Sequence, residues 1–273
     1  MNYDFDNINL VQINDQLPFW SAPFALKLLN IVDYKPEILV LDVGCGTGFL
    51  SIELAQRLDK KSTIFALDIS ENSLQRLKDK IKIIDINNIK PILGDIQNLN
   101  FENNYFDLLV SNNGINNAEN IKKAISECSR VLKPSGQFIV TQNLPDTMYE
   151  FYDIYRDVLS DFNLDDEFQL LENHIFNKRK PVEALIKYLH NNNLIINSVC
   201  EDKFFYRFVN ADSLFDYHEI KFYFSKPWFS ILKDEFVDSI FTEIKTRLNK
   251  IAEKKGYIEL TIPFICVDCR KNK

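Results

Sequence analysis

Residues 39–55 read LVLDVGCGTGFLSIELA, and no other stretch restricts the fold of this chain so strongly. An apolar run, Ile38 to Leu41, ends in the acid Asp42. Glycines then alternate at Gly44, Gly46 and Gly48, and a helical apolar pattern starts at once with Leu50, Leu54, Ala55 and Leu58. A strand thus enters a tight glycine turn and leaves as a helix. Such a turn brings bare backbone and a helix N-terminus against a ligand. The spacing excludes two common ligand loops. A dinucleotide fingerprint, G-x-G-x-x-G, needs glycine at position 49, where Phe49 stands. A P-loop needs a lysine directly after its last glycine, and none follows Gly48.

The same alternation continues downstream. Strands are predicted at about 38–43, 63–67, 89–93, 106–111 and 137–141, with helices at about 48–58, from Ser70 onward, and at 118–132. This order implies a parallel sheet with helices on both faces. Upstream, residues 17–32 have helical apolar spacing, with Ser21 as cap and Pro23 in the first turn. After residue 145 the pattern changes. A helix is expected over Met148–Phe162 and a second after Pro181, then a sixth strand over Ile195–Phe208. Residues 211–254 read as helical and Tyr257–Arg270 as a closing strand.

The run Asp42-x-Gly44-x-Gly46-x-Gly48 after a buried strand resembles motif I of the class I S-adenosylmethionine-dependent methyltransferases. Asp68, closing the second strand 20 residues beyond Gly48, matches that family's ribose-binding acid. Such an acid also suits a nicotinamide enzyme, so Asp68 argues for an adenosine ligand more than for one cofactor. Gly94-Asp95-Ile96 matches the adenine-binding turn, and Tyr105 to Asn113 resembles motif IV, where donor and acceptor meet. Asn116 and Asn117 stand where many relatives carry histidines. Arg130 to Phe138 resembles the family's R-hL-KPGG-h run, with Ser135 replacing its first glycine, and reads as a helix stop and proline turn.

The resemblance covers about residues 36–143 plus the terminal strand. It implies an α/β fold: a seven-stranded, mostly parallel, doubly wound sheet with an antiparallel last strand. An N-terminal helix and a helical lid between strands six and seven complete it. The chain is read as one methyltransferase domain over 1–273, with core at about 36–143, 194–210 and 256–270, and cap elements at about 1–35, 145–192 and 211–254. The implied cofactor is S-adenosylmethionine, with Asp42, Gly44, Cys45, Gly46, Gly48, Asp68, Ile69, Asp95, Ile96, Ser111 and Asn112 as its contacts. The implied reaction is methyl transfer. A non-catalytic cofactor-binding regulator and an aminopropyl transferase are the alternatives.

The acceptor is read from composition and local density. Net charge is −7 and no dense Lys/Arg stripe occurs, so a small molecule is expected in place of nucleic acid. Motif IV also lacks the proline pair of amino-directed nucleic-acid enzymes. No apolar run approaches the ~18–20 residues of a membrane span, and MNYDFDNINL lacks the features of a signal peptide, so a cytoplasmic location is expected. Five scattered cysteines suit reduced thiols, and the lone Cys266-x-x-Cys269 reads as strand cysteines with no metal. Residues 204–229 hold eleven of the 35 aromatics. With Tyr149–Tyr155 and Trp20 they suggest a roof over an apolar acceptor pocket, and core packing of a lid is the other reading. Trp20, Tyr149, Tyr152, Tyr217 and Phe222 are the candidate acceptor contacts, and His218 is the candidate general base.

Overall fold

The computed structural model describes residues 6–273. Two helices precede the sheet, α1 (Ile8–Gln16) and α2 (Ala22–Leu29). The single helix expected over 17–32 is therefore shorter, and a further helix lies before it. Asn7 caps α1 by accepting from the amides of Asn9 and Leu10, at 3.1 and 3.3 Å. Pro23 stands in the first turn of α2 as expected, but Ser21 supplies no side-chain cap, because its hydroxyl donates back to the Pro18 carbonyl.

The βα series then follows as β1 (Leu39–Val43), α3 (Phe49–Arg57), β2 (Thr63–Asp68), α4 (Glu71–Ile83), β3 (Ile89–Leu93), β4 (Phe106–Asn112), α5 (Ile121–Val131) and β5 (Leu132–Asn143). Strand β1 is buried almost throughout, as a strand covered on both faces must be. It pairs in parallel with β2 and β4, β2 pairs with β3, and β4 with β5. Ser70 caps α4, its hydroxyl accepting from the Ser73 amide at 3.0 Å. Residues 133–136, read as a turn, are instead a bulged excursion inside β5. Leu132 already pairs with Phe106, and the ladder resumes at Gln137 opposite Leu108.

After β5 come α6 (Tyr149–Asp161), α7 (Asp165–Lys178), α8 (Val182–Asn191), β6 (Leu194–Phe208), α9 (Ala211–Asp216), a π-helical turn (Ile220–Phe224), α10 (Ser225–Phe229), α11 (Asp234–Lys255) and β7 (Ile258–Lys271). The uniform helix expected over 211–254 is thus broken into four pieces. Helix α7 was not expected, and the reason lies in its side chains. Leu171 and Ile175 are buried while Leu170 and Phe176 are exposed, so the apolar residues mark no single face.

The seven strands form one sheet in the order β3-β2-β1-β4-β5-β7-β6. Strand β7 runs antiparallel to β5: the Cys269 thiol donates to the Phe138 carbonyl, and the Lys271 ammonium to the Leu132 carbonyl. Buried Asp268 ties three strands together, accepting from Gln137 at 2.8 Å and from Asn197 at 2.7 Å. The described residues form two compact units. The first holds residues 6–142, 182–201 and 264–273, and the second holds 143–181 and 202–263. The first is built on a core that includes Leu28, Val40, Leu54, Ile64, Leu77 and Ile139. In the second, the Phe151 ring stacks on Trp228 at 3.9 Å, and Phe241 packs on Tyr155.

Gly48 begins α3 in the left-handed region, φ +84°, and a Cβ there would lie 2.2 Å from Leu77 Cδ1. Gly48→Ala is expected to destabilise the protein by about 2–3 kcal/mol, from backbone strain and overpacking together. Urea unfolding measures this, and a loss within error of zero would contradict the packing described.

Candidate active site

The glycine turn is held from below by the end of β2. The amides of Gly44 and Cys45 donate to the Leu67 carbonyl at 2.8 and 3.0 Å, and the Gly48 amide donates to the Cys45 carbonyl at 2.9 Å. The Gly46 amide donates to Asp68 Oδ2 at 2.7 Å, while Asp68 Oδ1 accepts from the Ser70 amide at 2.9 Å. These amides are engaged inside the fold, so the glycines offer a ligand close approach and not free N–H groups. At Gly46 an added Cβ would meet nothing within 4 Å, which marks the open side of the turn. Burial pushes the Asp68 carboxyl up, and the amide bonds from Ser70, Gly46 and Ile69 oppose the rise.

Asp42 stands near the end of β1, just before the turn. It is buried, and Ser51 Oγ on α3 donates to its Oδ2 at 2.6 Å. No protein group hydrogen-bonds to its buried Oδ1. Cys45 is also buried, and burial with the charges of Asp42 and Asp68 pushes its thiol up. At neighbouring strand ends Ile69 and Leu93 stand 61 and 59% exposed, an apolar pair beside Asp68. Exposed Asp95 accepts from the Gln97 amide at 2.8 Å, and Ile96 is buried, so its contact with a ligand would be through its backbone.

The end of β4 is fixed by its own side chains. Ser111 Oγ donates to the Val43 carbonyl at 3.2 Å and accepts from the Ile115 amide at 3.0 Å. Asn112 donates to the Ser21 carbonyl and accepts from Thr141 Oγ1, each at 3.1 Å. The sequence-predicted cofactor residues therefore converge on the carboxyl ends of β1, β2, β3 and β4, the usual ligand edge of such a sheet.

The contribution of α1, and of Asp6 two residues before it, carries no motif in the sequence. Asp15 accepts from Arg76 Nε at 2.7 Å and from Lys80 on α4. Burial pushes this carboxyl up, but the bonds from Lys80, Arg76 and Thr47 outweigh it and hold it below its ordinary value. Asp6 accepts from Ser70 Oγ at 2.7 Å and from the Asn72 amide at 2.9 Å. Thr47 lies in the glycine turn and Ser70 beside Asp68, so Asp15 of α1 reaches the turn and Asp6, ahead of α1, reaches the end of β2. The local pattern of residues 6–16 is polar, and only Val11 of the helix is buried, so periodicity gave no signal.

The predicted acceptor residues fall in both units. Trp20 is half-buried in the first, near Phe24. In the second, Tyr149 and Phe222 are exposed and Tyr217 is half-buried. Tyr152 is a packing residue: its ring is buried, and its hydroxyl accepts from Trp228 Nε1 at 3.0 Å. His218 is half-buried with Nε2 lacking a hydrogen-bond partner, 3.7 Å from Glu219 Oε1. Burial pulls the His218 imidazole down and pushes the buried Glu219 carboxyl up to about 7, so both neutral forms are favoured. Cys266 and Cys269 are buried on β7, and burial pushes both thiols up, Cys266 to about 12.

A sheet of this order with an acid–glycine turn after β1 and acids after β2 and β3 defines a class I methyltransferase fold. The family described as methyltransferase domain matches residues 35–256, and the chain belongs to that family, whose cofactor is S-adenosylmethionine. It is similar to a demethylmenaquinone methyltransferase of Staphylococcus haemolyticus, 37% identical over 152 residues that cover 56% of this chain and 61% of that one. The chain spans about half the length of the first such relatives, 53% for the Bacillus mycoides protein at 32% identity. Among solved structures, the YcgJ protein of Bacillus subtilis superposes with a TM-score of 0.61 at 15% identity, covering 92% of this chain and 99% of that one. An S-adenosylmethionine-dependent methyltransferase of Aquifex aeolicus gives 0.53 at 16% identity, covering 72 and 92%. At such identities these two show the fold alone.

The Asp42 carboxyl is pushed up to about 7, chiefly by burial and further by Asp68, against the Ser51 hydroxyl. The fold therefore keeps a proton that the unfolded chain loses at about pH 4. Its stabilising contribution is full below that pH and is lost as pH rises through 7. Asp42→Asn mimics the protonated form. Its melting temperature relative to the unsubstituted protein is expected to climb between about pH 5 and pH 8, and a pH-independent difference would contradict this account.

Proposed function

We propose that the chain transfers a methyl group from S-adenosylmethionine to a small or medium-sized, partly apolar acceptor by in-line displacement. The observation that carries this reading is the convergence of the glycine turn, Asp68, Asp95 and the β4 end along one edge of the sheet. The residues fit the cofactor in kind. Asp68 retains acceptor capacity beyond its two amide bonds and would take the ribose hydroxyls. Ile69 and Leu93 would flank the adenine, with Asp95 and the Ile96 backbone at its polar edge. Gly44, Cys45, Gly46 and Gly48 would form the floor under the amino-acid end, in a turn that Asp42 orients from inside. Ser111 and Asn112, each bonded at both ends, would keep the β4 end fixed beside the transferred group.

Bound there, the cofactor supplies an activated sulfonium methyl. The contribution of the chain is alignment and exclusion of water. Support for an apolar acceptor comes from the exposed rings of Tyr149 and Phe222, the partly exposed Trp20 and Tyr217, and the name of the curated relatives, demethylmenaquinone methyltransferase. A cytoplasmic setting is supported by five unbridged cysteines. No described helix is long and apolar enough to cross a membrane. His218 is proposed as the base that takes the acceptor's proton. Its support is a buried Nε2 with no partner and an imidazole held neutral, the form a base requires.

Mass spectrometry of reactions with methyl-labelled S-adenosylmethionine and a panel of phenols, quinols and amines tests the reading. Transfer to an apolar aromatic acceptor is expected. Tight cofactor binding with no transfer to any acceptor would favour a regulatory role. On the accepted substrate, His218→Ala is expected to lower kcat by about a hundredfold or more, with cofactor affinity retained. Unchanged turnover would remove His218 from the mechanism.

A further inference from the structure

Seven of the eight arginines pair with a carboxylate. The exception among the described residues is Arg179, which is also the one most removed from water, 2% exposed. It follows the last turn of α7, its backbone amide donating to the Ile175 carbonyl at 3.1 Å. Its guanidinium lies over the Tyr152 ring at 5.5 Å, and Nη1 reaches the Tyr152 hydroxyl only at 3.5 Å. Nε is buried and receives no protein partner. A guanidinium taken from water is costly unless an anion or a full set of acceptors meets it.

The surroundings sharpen the point. Five residues earlier, on α7, His174 Nε2 is likewise buried without a partner. Lys178 stands between them in sequence, with its ammonium 5.4 Å from the Phe224 ring centroid. Burial, then the neighbouring Arg179 charge, pulls the Lys178 ammonium down to about 8. Burial and the charges of Lys178 and Arg179 pull His174 to about 4. Two carboxylates of α7 are engaged elsewhere: Glu172 with Arg156 at 2.6 Å, and buried Glu167 with Lys233 at 3.6 Å. Two positive side chains and a neutral imidazole thus lie close together in the second unit, while Glu167 and Glu172 of the same helix turn to other cations.

We infer that Arg179, flanked by Lys178 and His174, forms a binding site for the carboxylate or phosphate group of a small molecule. The Nε edge of a guanidinium presents two parallel N–H groups that match the two oxygens of either anion. Lys178 adds a second positive charge, and neutral His174 donates from Nε2 when its proton sits there. The methyl acceptor is one source of such a group, which rests on the methyl transfer proposed above. A separate small anion is the other, and it does not.

Thermal unfolding of the full chain with sodium phosphate, pyrophosphate or benzoate, against chloride at matched ionic strength, tests the site. At least one anion is expected to raise the melting temperature saturably by several degrees. Arg179→Gln is expected to abolish that shift while binding S-adenosylhomocysteine as before, which shows that the variant is folded. Should Arg179→Gln fail to fold, Arg179→Lys and His174→Gln carry the test, with anion affinity expected to fall about tenfold and a few-fold. No shift beyond chloride, or a full shift in the Arg179 variants, overturns the inference. Methyl transfer to a pair of acceptors differing only in an acid group separates the sources. A tenfold rise in KM for the acidic acceptor alone in Arg179→Lys assigns the site to the acceptor. Unchanged kinetics with a lost thermal shift assigns it to a separate anion.

Discussion

The bond from the Gly46 amide to Asp68, 2.7 Å long, is the contact on which the first unit's ligand edge depends. It joins the turn after β1 to the end of β2. Through the Ser70 amide the same carboxylate also fixes the start of α4. Asp6 then bonds to Ser70, and Asp15 bonds to Arg76 and Lys80, so α1 is tied to the same corner. A carboxylate that accepts two amides keeps its position without a ligand. Its remaining lone pairs are thereby fixed in advance, so a ribose bound there as proposed would leave little ordering to be done.

Behind this edge the fold tolerates an unusual burial. Asp42 lies in β1 just before the turn, with one oxygen bonded to Ser51 and the other unmatched by protein. An apolar residue would pack there more easily. A buried acid favours a proton, and its presence is a concession of stability at a place where the turn must be shaped for a ligand. The second unit makes a comparable concession with Arg179 and His174, each with a buried nitrogen that no protein group meets.

The donor half of the molecule was legible in the sequence because its signals are local. Alternating glycines, an acid closing each of two strands and a serine cap each act within a few residues of themselves. The bulge at 133–136 was misread as a turn because Leu132 joins the ladder before Pro134, a fact set by its partner Phe106 on another strand. Helix α7 escaped because tertiary packing, not periodicity, decides which of its apolar residues are covered. The breaks in 211–254 escaped for the same reason: Trp228 is buried against the Phe151 and Tyr152 rings of α6, so a continuous helical face was never required. Tyr152 looked like a ligand contact by residue type, and only the Trp228 bond reveals it as core.

S-adenosylmethionine is proposed to sit on the open face at Gly46, with Asp68 beside it. Calorimetric titration of S-adenosylhomocysteine into the protein and into Gly46→Ala tests it most directly. A Cβ at Gly46 meets no protein atom within 4 Å, so the variant is expected to lose only about 1 kcal/mol of stability, from its positive φ. Binding on the order of micromolar is expected for the unsubstituted protein, and at least about tenfold weaker binding for the variant. Absence of binding at millimolar ligand, or equal affinity in the two proteins, would contradict it.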